Sequence, residues 1–229
     1  MKLKHIAAAA AILVSGSAFA GVTGNVGAFS NYMFRGITQT GDDAAVQGGL
    51  DYSHASGFYA GAWVSNTNFG SYETDLYAGF AGKAGDVAYD VGYIFYGYRD
   101  TTKANFSEIY AGLTVAGLSA KLFFSPEFAN TEDEAFYITT SYPFALSETL
   151  TLTPQLGYSF GDGVEGQPGP SPETGLFAGV EDSYLDYSLT LAKTLEGGLT
   201  FTAAIAANSE DDILGKEAVF VGLKKAFDL

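Results

Sequence analysis

Residues 184–193 read YLDYSLTLAK, with Leu185, Tyr187, Leu189 and Leu191 on one parity and Tyr184, Asp186, Ser188, Thr190 and Ala192 on the other. Successive side chains of a strand point to opposite faces, so this stretch predicts a β-strand with one apolar face. The same split recurs in 149–160, where Leu150, Leu152, Leu156, Tyr158 and Phe160 oppose Thr149, Thr151, Thr153, Gln155 and Ser159. Pro154 is a blemish there, because proline removes a ladder donor. In 73–81, Leu76, Ala78 and Phe80 oppose Glu73, Asp75, Tyr77 and Gly79, and in 86–96, Val87, Tyr89, Val91, Tyr93 and Phe95 oppose Asp86, Ala88, Asp90 and Gly92. Similar patterns lie near 22–34, 45–54, 57–66, 106–115, 117–125, 135–143, 198–207 and 217–227, about twelve strands in all.

The connections alternate too. Short ones fall near 54–57, 82–86, 116–117, 143–148 and 194–198, and longer polar ones near 35–44, 67–72, 97–105, 126–134, 161–182 and 208–216. Short turns at one end and long loops at the other predict an all-β fold, a transmembrane antiparallel up-and-down β-barrel in which closure removes the sheet edges.

Composition decides which face looks outward. Charged residues make up 16% of the 229 residues, and the chain carries 29 Gly, 18 Phe and 15 Tyr. A soluble barrel needs a hydrated outer face rich in Lys and Glu. Here the polar parity is mostly Gly, Ala, Ser, Thr and Tyr, with charge concentrated in the loops, so the apolar parity is expected to face lipid. Outward-parity Tyr52, Phe58, Phe80, Tyr89, Tyr142 and Phe227 fall near the turn end. Phe34, Phe95, Phe124, Phe136, Tyr158 and Phe160 fall near the loop end, which gives two aromatic girdles for two membrane interfaces.

Residues 1–20 read MKLKHIAAAAAILVSGSAFA: two lysines, an apolar run over 6–14, and a small-x-small end. This is the pattern of a cleaved export leader, too short in its apolar run to span a bilayer. The expected mature domain is 21–229. Without Lys2 and Lys4 it holds 9 basic and 26 acidic residues, a balance of −17, which disfavours nucleic acid as a partner.

Five segments, SNYMFRGITQT (30–40), AVQGGLDYSHASGFYAGAWVSN (45–66), ETDLYAGFAG (73–82), VAYDVGYIFYGY (87–98) and SYLDYSLTLAK (183–193), resemble the TorF-type porin family of proteobacterial outer-membrane proteins. The resemblance runs along essentially the whole of 21–229. It implies an outer-membrane barrel of pore function, with outer-membrane lipid, lipopolysaccharide and small solutes as partners, and supplies no catalytic or cofactor residues.

Twelve strands ~4.8 Å apart and tilted by ~40° give a backbone diameter of roughly 24 Å and, with side chains, a lumen of ~10–14 Å. Parity points Asp51, Glu73, Asp75, Asp90, Glu108 and Asp186 inward, against Lys121 and Lys224. Acidic walls concentrate cations and repel anions, so these residues predict a pore favouring cations or neutral solutes. The other reading is that the carboxylates pair with Lys121 or accept tyrosine hydroxyls and fill a plugged interior, which leaves a non-conducting structural or small-ligand-binding barrel.

Arg35 falls at the expected top of the first strand, either in the mouth or against a lipopolysaccharide phosphate, or as an interfacial anchor. Residues 161–182, with Pro168, Pro170 and Pro172, either fold inward as a constriction or stay outside as an open loop. Loop acids such as Asp42, Asp43, Glu132, Asp133 and Glu134 suit solvent, or divalent bridging to lipid phosphates. An enzyme is not expected. After the leader the only histidine is His54, in a short turn, and the absence of cysteine removes the usual zinc sites and any metal or cofactor expectation.

Overall fold

Twelve strands hydrogen-bond in sequence order and then close on themselves. The computed structural model describes residues 21–68, 71–100, 104–129, 131, 133–165, 169–171, 175–177, 182–210 and 217–229. The barrel strands are β1 Gly21–Phe29, β2 Ala45–Ser53, β3 Phe58–Asn66, β4 Tyr72–Ala84, β5 Val87–Tyr98 and β6 Phe106–Val115. They continue as β7 Leu118–Ser125, β8 Ala135–Ser141, β9 Leu150–Phe160, β10 Ser183–Thr194, β11 Leu199–Asn208 and β12 Glu217–Asp228. Each strand pairs antiparallel with the next, and β12 returns to β1 in a register running from Thr23↔Asp228 to Phe29↔Gly222. The result is an all-β, closed, twelve-stranded antiparallel barrel, and closure leaves no unpaired edge.

Turn chemistry explains why one end is tight. At Ala116-Gly117, between β6 and β7, both φ angles are positive (49° and 90°), as a two-residue hairpin turn that matches strand twist requires. Pro154 sits inside β9 and is tolerated there, facing outward opposite Leu189 of β10.

The outer face carries the apolar parity. Val46, Leu50, Leu76, Ile109, Leu113, Ile138, Leu185 and Ile205 are all exposed, from 42% to 63%. Aromatic rings flank them: Tyr52, Phe58, Phe80, Tyr142 and Phe227 are exposed toward the turn end. Toward the loop end, the rings of Phe124, Phe136 and Phe160 meet across β7, β8 and β9, the first pair tilted and the second stacked, with centroids 4.9 and 5.2 Å apart. Such a surface suits hydrocarbon between two headgroup layers.

One ring departs from expectation. Phe34 does not join the girdle but packs inside, edge-on to Tyr96 at 5.7 Å, because β1 ends at Phe29 and the chain turns into the barrel.

The inner face explains the joint abundance of glycine and tyrosine. Register sets Tyr59 opposite Gly79, Tyr77 opposite Gly61, and Tyr110 opposite Gly92. In each pair the ring lies over its glycine so closely that an added Cβ would come within 2.4–2.5 Å of it. A ring laid flat on the neighbouring strand covers its backbone, and cross-strand aromatic pairs of this kind contribute roughly 0.2–1 kcal/mol each.

Candidate functional site

Between β1 and β2 the sequence SNYMFRGITQTGDDA (30–44) contains a second, miniature hairpin, with Met33–Phe34 paired to Ile37–Thr38. Its two-residue turn is Arg35-Gly36, with φ 49° and 75°, again the primed geometry. The segment does not sit in solvent. Ile37, Thr38, Gln39 and Thr40 are each at most 1% exposed, so the hairpin fills the loop-side half of the interior.

It holds its own shape. The Asn31 side-chain oxygen accepts from the Thr38 and Thr40 hydroxyls at 2.7 and 3.1 Å, and its amide donates to Asp42 at 2.8 Å. Ties to the wall are fewer. Asn208 Nδ2 donates to the Gly36 carbonyl at 2.8 Å, and the Tyr32 hydroxyl donates to Glu73 at 3.0 Å. Gly36 is required at the tip, since a Cβ there would meet the Ala207 carbonyl and Asp186 Cβ at 2.9 Å, on a backbone with positive φ.

The turn delivers Arg35 into the barrel. One guanidinium nitrogen, Nη2, lies 2.7 Å from both carboxylate oxygens of Glu108, and the Tyr96 hydroxyl donates to Glu108 Oε2 at 3.1 Å. The guanidinium carbon stands 4.1 Å from the Tyr137 ring centroid, 4.7 Å from Phe34, 5.5 Å from Phe123 and 5.9 Å from Phe128. The Arg35 and Glu108 side chains are only 6% and 1% exposed. Burial is the largest single influence and opposes the arginine's charge, but Glu108 together with Tyr96 and Tyr137 outweighs it and holds the pKa above its ordinary value. Burial, and then the negative charge of Glu73, likewise push the Tyr32 phenol upward, so it remains a donor.

The structure arranges Asp51, Glu73, Asp75, Asp90, Glu108 and Asp186 on two levels of the barrel. Near the loops lie Glu73, Asp75, Glu108 and Asp186, from 0% to 7% exposed. Tyr137 donates to Asp186 at 3.3 Å, while Glu73 Oε2, Asp75 Oδ1 and Asp186 Oδ2 have no hydrogen-bond partner among the described residues. Nearer the turns, Tyr77 donates to Asp51 and Tyr59 donates to Asp90 at 2.5 Å. Lys121 pairs with Asp90 at 2.5 Å and sits 4.6 Å from the Tyr110 ring.

Arg35 therefore belongs to the buried loop-side level and touches neither the lipid face nor the outer mouth. Strand alternation does not predict the inserted hairpin. Its available signal was Arg35-Gly36 between Phe34 and Ile37, a two-residue turn inside what reads as the end of a strand. His54 stays in the β2–β3 turn, its Nδ1 2.9 Å from Ser56 Oγ. Among the described residues no group of three His, Cys, Asp or Glu side chains is placed to hold a metal ion.

Residues 14–227 match a family described as "Bacterial protein of unknown function (Gcw_chp)". The chain belongs to the Gcw_chp family. No curated protein sequence matches this Gcw_chp member. Among solved structures it is similar to the "KdgM porin" at 13% identity and a TM-score of 0.58, over 90% of this chain and 99% of that one. It is similar also to the KdgM porin described as in complex with disordered oligogalacturonate, at 12% identity and TM-score 0.57, over 90% and 99% of the two chains. The NanC porin matches at 10% identity and TM-score 0.53, over 90% and 97%. At these identities the likeness is one of fold alone, a closed antiparallel β-barrel.

Proposed function

We propose that this Gcw_chp protein is an outer-membrane porin that passes small solutes and favours cations or neutral molecules over anions. The observation that carries it is the inversion of faces: a closed barrel with an exposed apolar belt and a charged, hydroxyl-rich interior. The porin-like fold and the resemblance to TorF-type porins support the same reading, as does the leader pattern of 1–20, residues that lie outside the described ones. Its partners would then be small solutes, outer-membrane lipid and lipopolysaccharide.

The preference follows from the wall. Asp51, Glu73, Asp75, Asp90, Glu108 and Asp186 point inward, against Lys121, Lys224 and the inserted Arg35. A structural neighbour is described in complex with oligogalacturonate, a chain of sugar carboxylates. An acidic wall of this kind would repel such an anion, so the cargo proposed here differs in charge.

The inserted hairpin favours one competing reading, a barrel that holds a ligand and does not conduct. Within residues 161–182, the other candidate constriction, 166–168, 172–174 and 178–181 lie outside the described residues. Purified protein in planar bilayers separates the readings. Expected are discrete currents and, under a KCl gradient, a reversal potential on the cation-selective side. Anion selectivity, absence of current, or recovery of the protein from the soluble periplasm would overturn the proposal.

A further inference from the structure

The surroundings of Arg35 have the makeup of a recognition site for a planar, delocalised cation, and the chain fills that site with its own guanidinium. Glu108 of β6, Phe123 of β7, Tyr137 of β8 and Phe128 of the following loop region all come from outside the hairpin. A carboxylate and two rings therefore belong to the wall, and a loop adds the third ring, Phe128. Carboxylate pairing combined with ring stacking is the pattern that suits guanidinium, whereas a small hard cation calls for a shell of oxygens.

Two further features bear on occupancy. The wall at this level carries four carboxyl groups, Glu73, Asp75, Glu108 and Asp186, against one arginine. Glu73, Asp75 and Asp186 are buried there, each with an oxygen that no described protein group satisfies. The hairpin also holds together by bonds of its own, beside its ties to the rest of the barrel from Tyr32 to Glu73, Arg35 to Glu108, Asn208 to Gly36 and Asn68 to Gln39. Its internal hydrogen bonds run among Asn31, Thr38, Thr40 and Asp42, and Gly41 and Asp42, where it rejoins the wall, both have positive φ (61° and 66°).

We propose that Arg35 is a tethered occupant of a guanidinium-binding site, and that guanidinium-type solutes entering from the loop side compete with it, release the hairpin and pass through the barrel. The passage step rests on the porin reading above. A short tether gives its cation an effective concentration in the millimolar range, so free solute must reach roughly millimolar levels to compete. That weak binding suits a diffusion pore, where a solute must leave as readily as it enters.

The probe is methylguanidinium, with methylammonium as a control of equal charge. The chain's one tryptophan, Trp63, packs edge-on to Tyr32 at 5.4 Å, so its fluorescence reports the hairpin. In the Arg35→Ala variant, which removes the tethered competitor, methylguanidinium should give a saturable fluorescence change at lower concentration than wild type requires, about tenfold tighter than methylammonium, and adding Glu108→Gln should abolish that preference. In bilayers the same variant should conduct more than wild type and be partly blocked by methylguanidinium over the same range.

The wild-type chain offers a second measurement that does not depend on the variant folding. Arg35 is the sole basic residue of 30–44, so displacement should expose it to trypsin, with faster cleavage under methylguanidinium than under methylammonium. Equal responses to the two cations, or a response unaffected by Glu108→Gln, would overturn the site. Glu108-dependent binding without current in either protein would overturn the porin reading and the passage step but leave the site standing. Current without selective binding would do the reverse.

Discussion

The loop-side and turn-side halves of the barrel interior contain the same residue types and bury their charges by different means. In the turn-side half the partners come from the wall: Tyr59 and Lys121 serve Asp90, Tyr77 serves Asp51, and rings lie on the glycines of adjacent strands. In the loop-side half the wall supplies carboxylates, and a segment from outside the ladder supplies the cation, with Arg35 on Glu108 and Tyr32 on Glu73. The first arrangement is complete when the barrel closes. The second is complete only when the hairpin enters, so the two halves should respond differently to substitution.

The largest expected effect comes from Glu108→Ala. It leaves the Arg35 guanidinium buried without its counter-charge, and breaking a buried pair from one side costs about 3–5 kcal/mol. The cost falls on the inserted hairpin, because the β6 ladder keeps its backbone bonds. We expect rapid trypsin cleavage after Arg35 and increased conductance, with heat-modifiable migration of the barrel retained. A variant that stays protected from trypsin would show that the hairpin does not depend on this pair and would erase the contrast between the halves.

Gly36→Ala tests the same half with a smaller push. The new methyl would meet Ala207 and Asp186 atoms at 2.9 Å on a backbone with φ 75°, a strain of about 1–3 kcal/mol. Partial trypsin sensitivity, between wild type and Glu108→Ala, is the expected result. Full protection would mean that the turn relaxes in place.

These two positions also mark the limit of what was legible in the sequence. Period-two alternation carried the strands, the spacing of turns carried the meander, and low charge on the polar parity told inside from outside. Nothing in alternation says where a chain leaves the ladder. The pattern over 22–34 continues past Phe29, where pairing with β12 stops, so Phe34 reads as a girdle residue and Arg35 as a strand top. Leaving the sheet is decided by hydrogen bonds among Asn31, Thr38, Thr40 and Asp42, and by a carboxylate on β6 more than seventy residues away. The tyrosine–glycine pairs were hidden for a related reason. They depend on register between strands, whereas composition shows only that both residues are common.

In the turn-side half, Gly61→Ala forces the Tyr77 ring off its neighbour, because the Cβ would stand 2.5 Å from it. The atoms met are the far end of the Tyr77 side chain, which can shift, so we expect a cost of about 1 kcal/mol, at the low end for overpacking. The visible result should be a modest fall in conductance with trypsin protection unchanged. A loss of protection would mean that the two halves are mechanically coupled.

Asp90→Asn should have the smallest energetic effect and addresses selectivity. Lys121 and Asp90 are 17% and 14% exposed, and losing a partly exposed pair costs on the order of 1 kcal/mol or less. Charge changes more than stability does. The turn-side level holds Asp51 and Asp90 against Lys121 and Lys224, so removing one carboxylate turns a balanced ring positive. In a KCl gradient the reversal potential should move toward anion selectivity. The shift should shrink at ~1 M salt, where the screening length falls to about 3 Å. A shift toward cations, or none at low salt, would mean that the loop-side acids alone set the preference, and the turn-side wall would then be scaffold, with no part in selection.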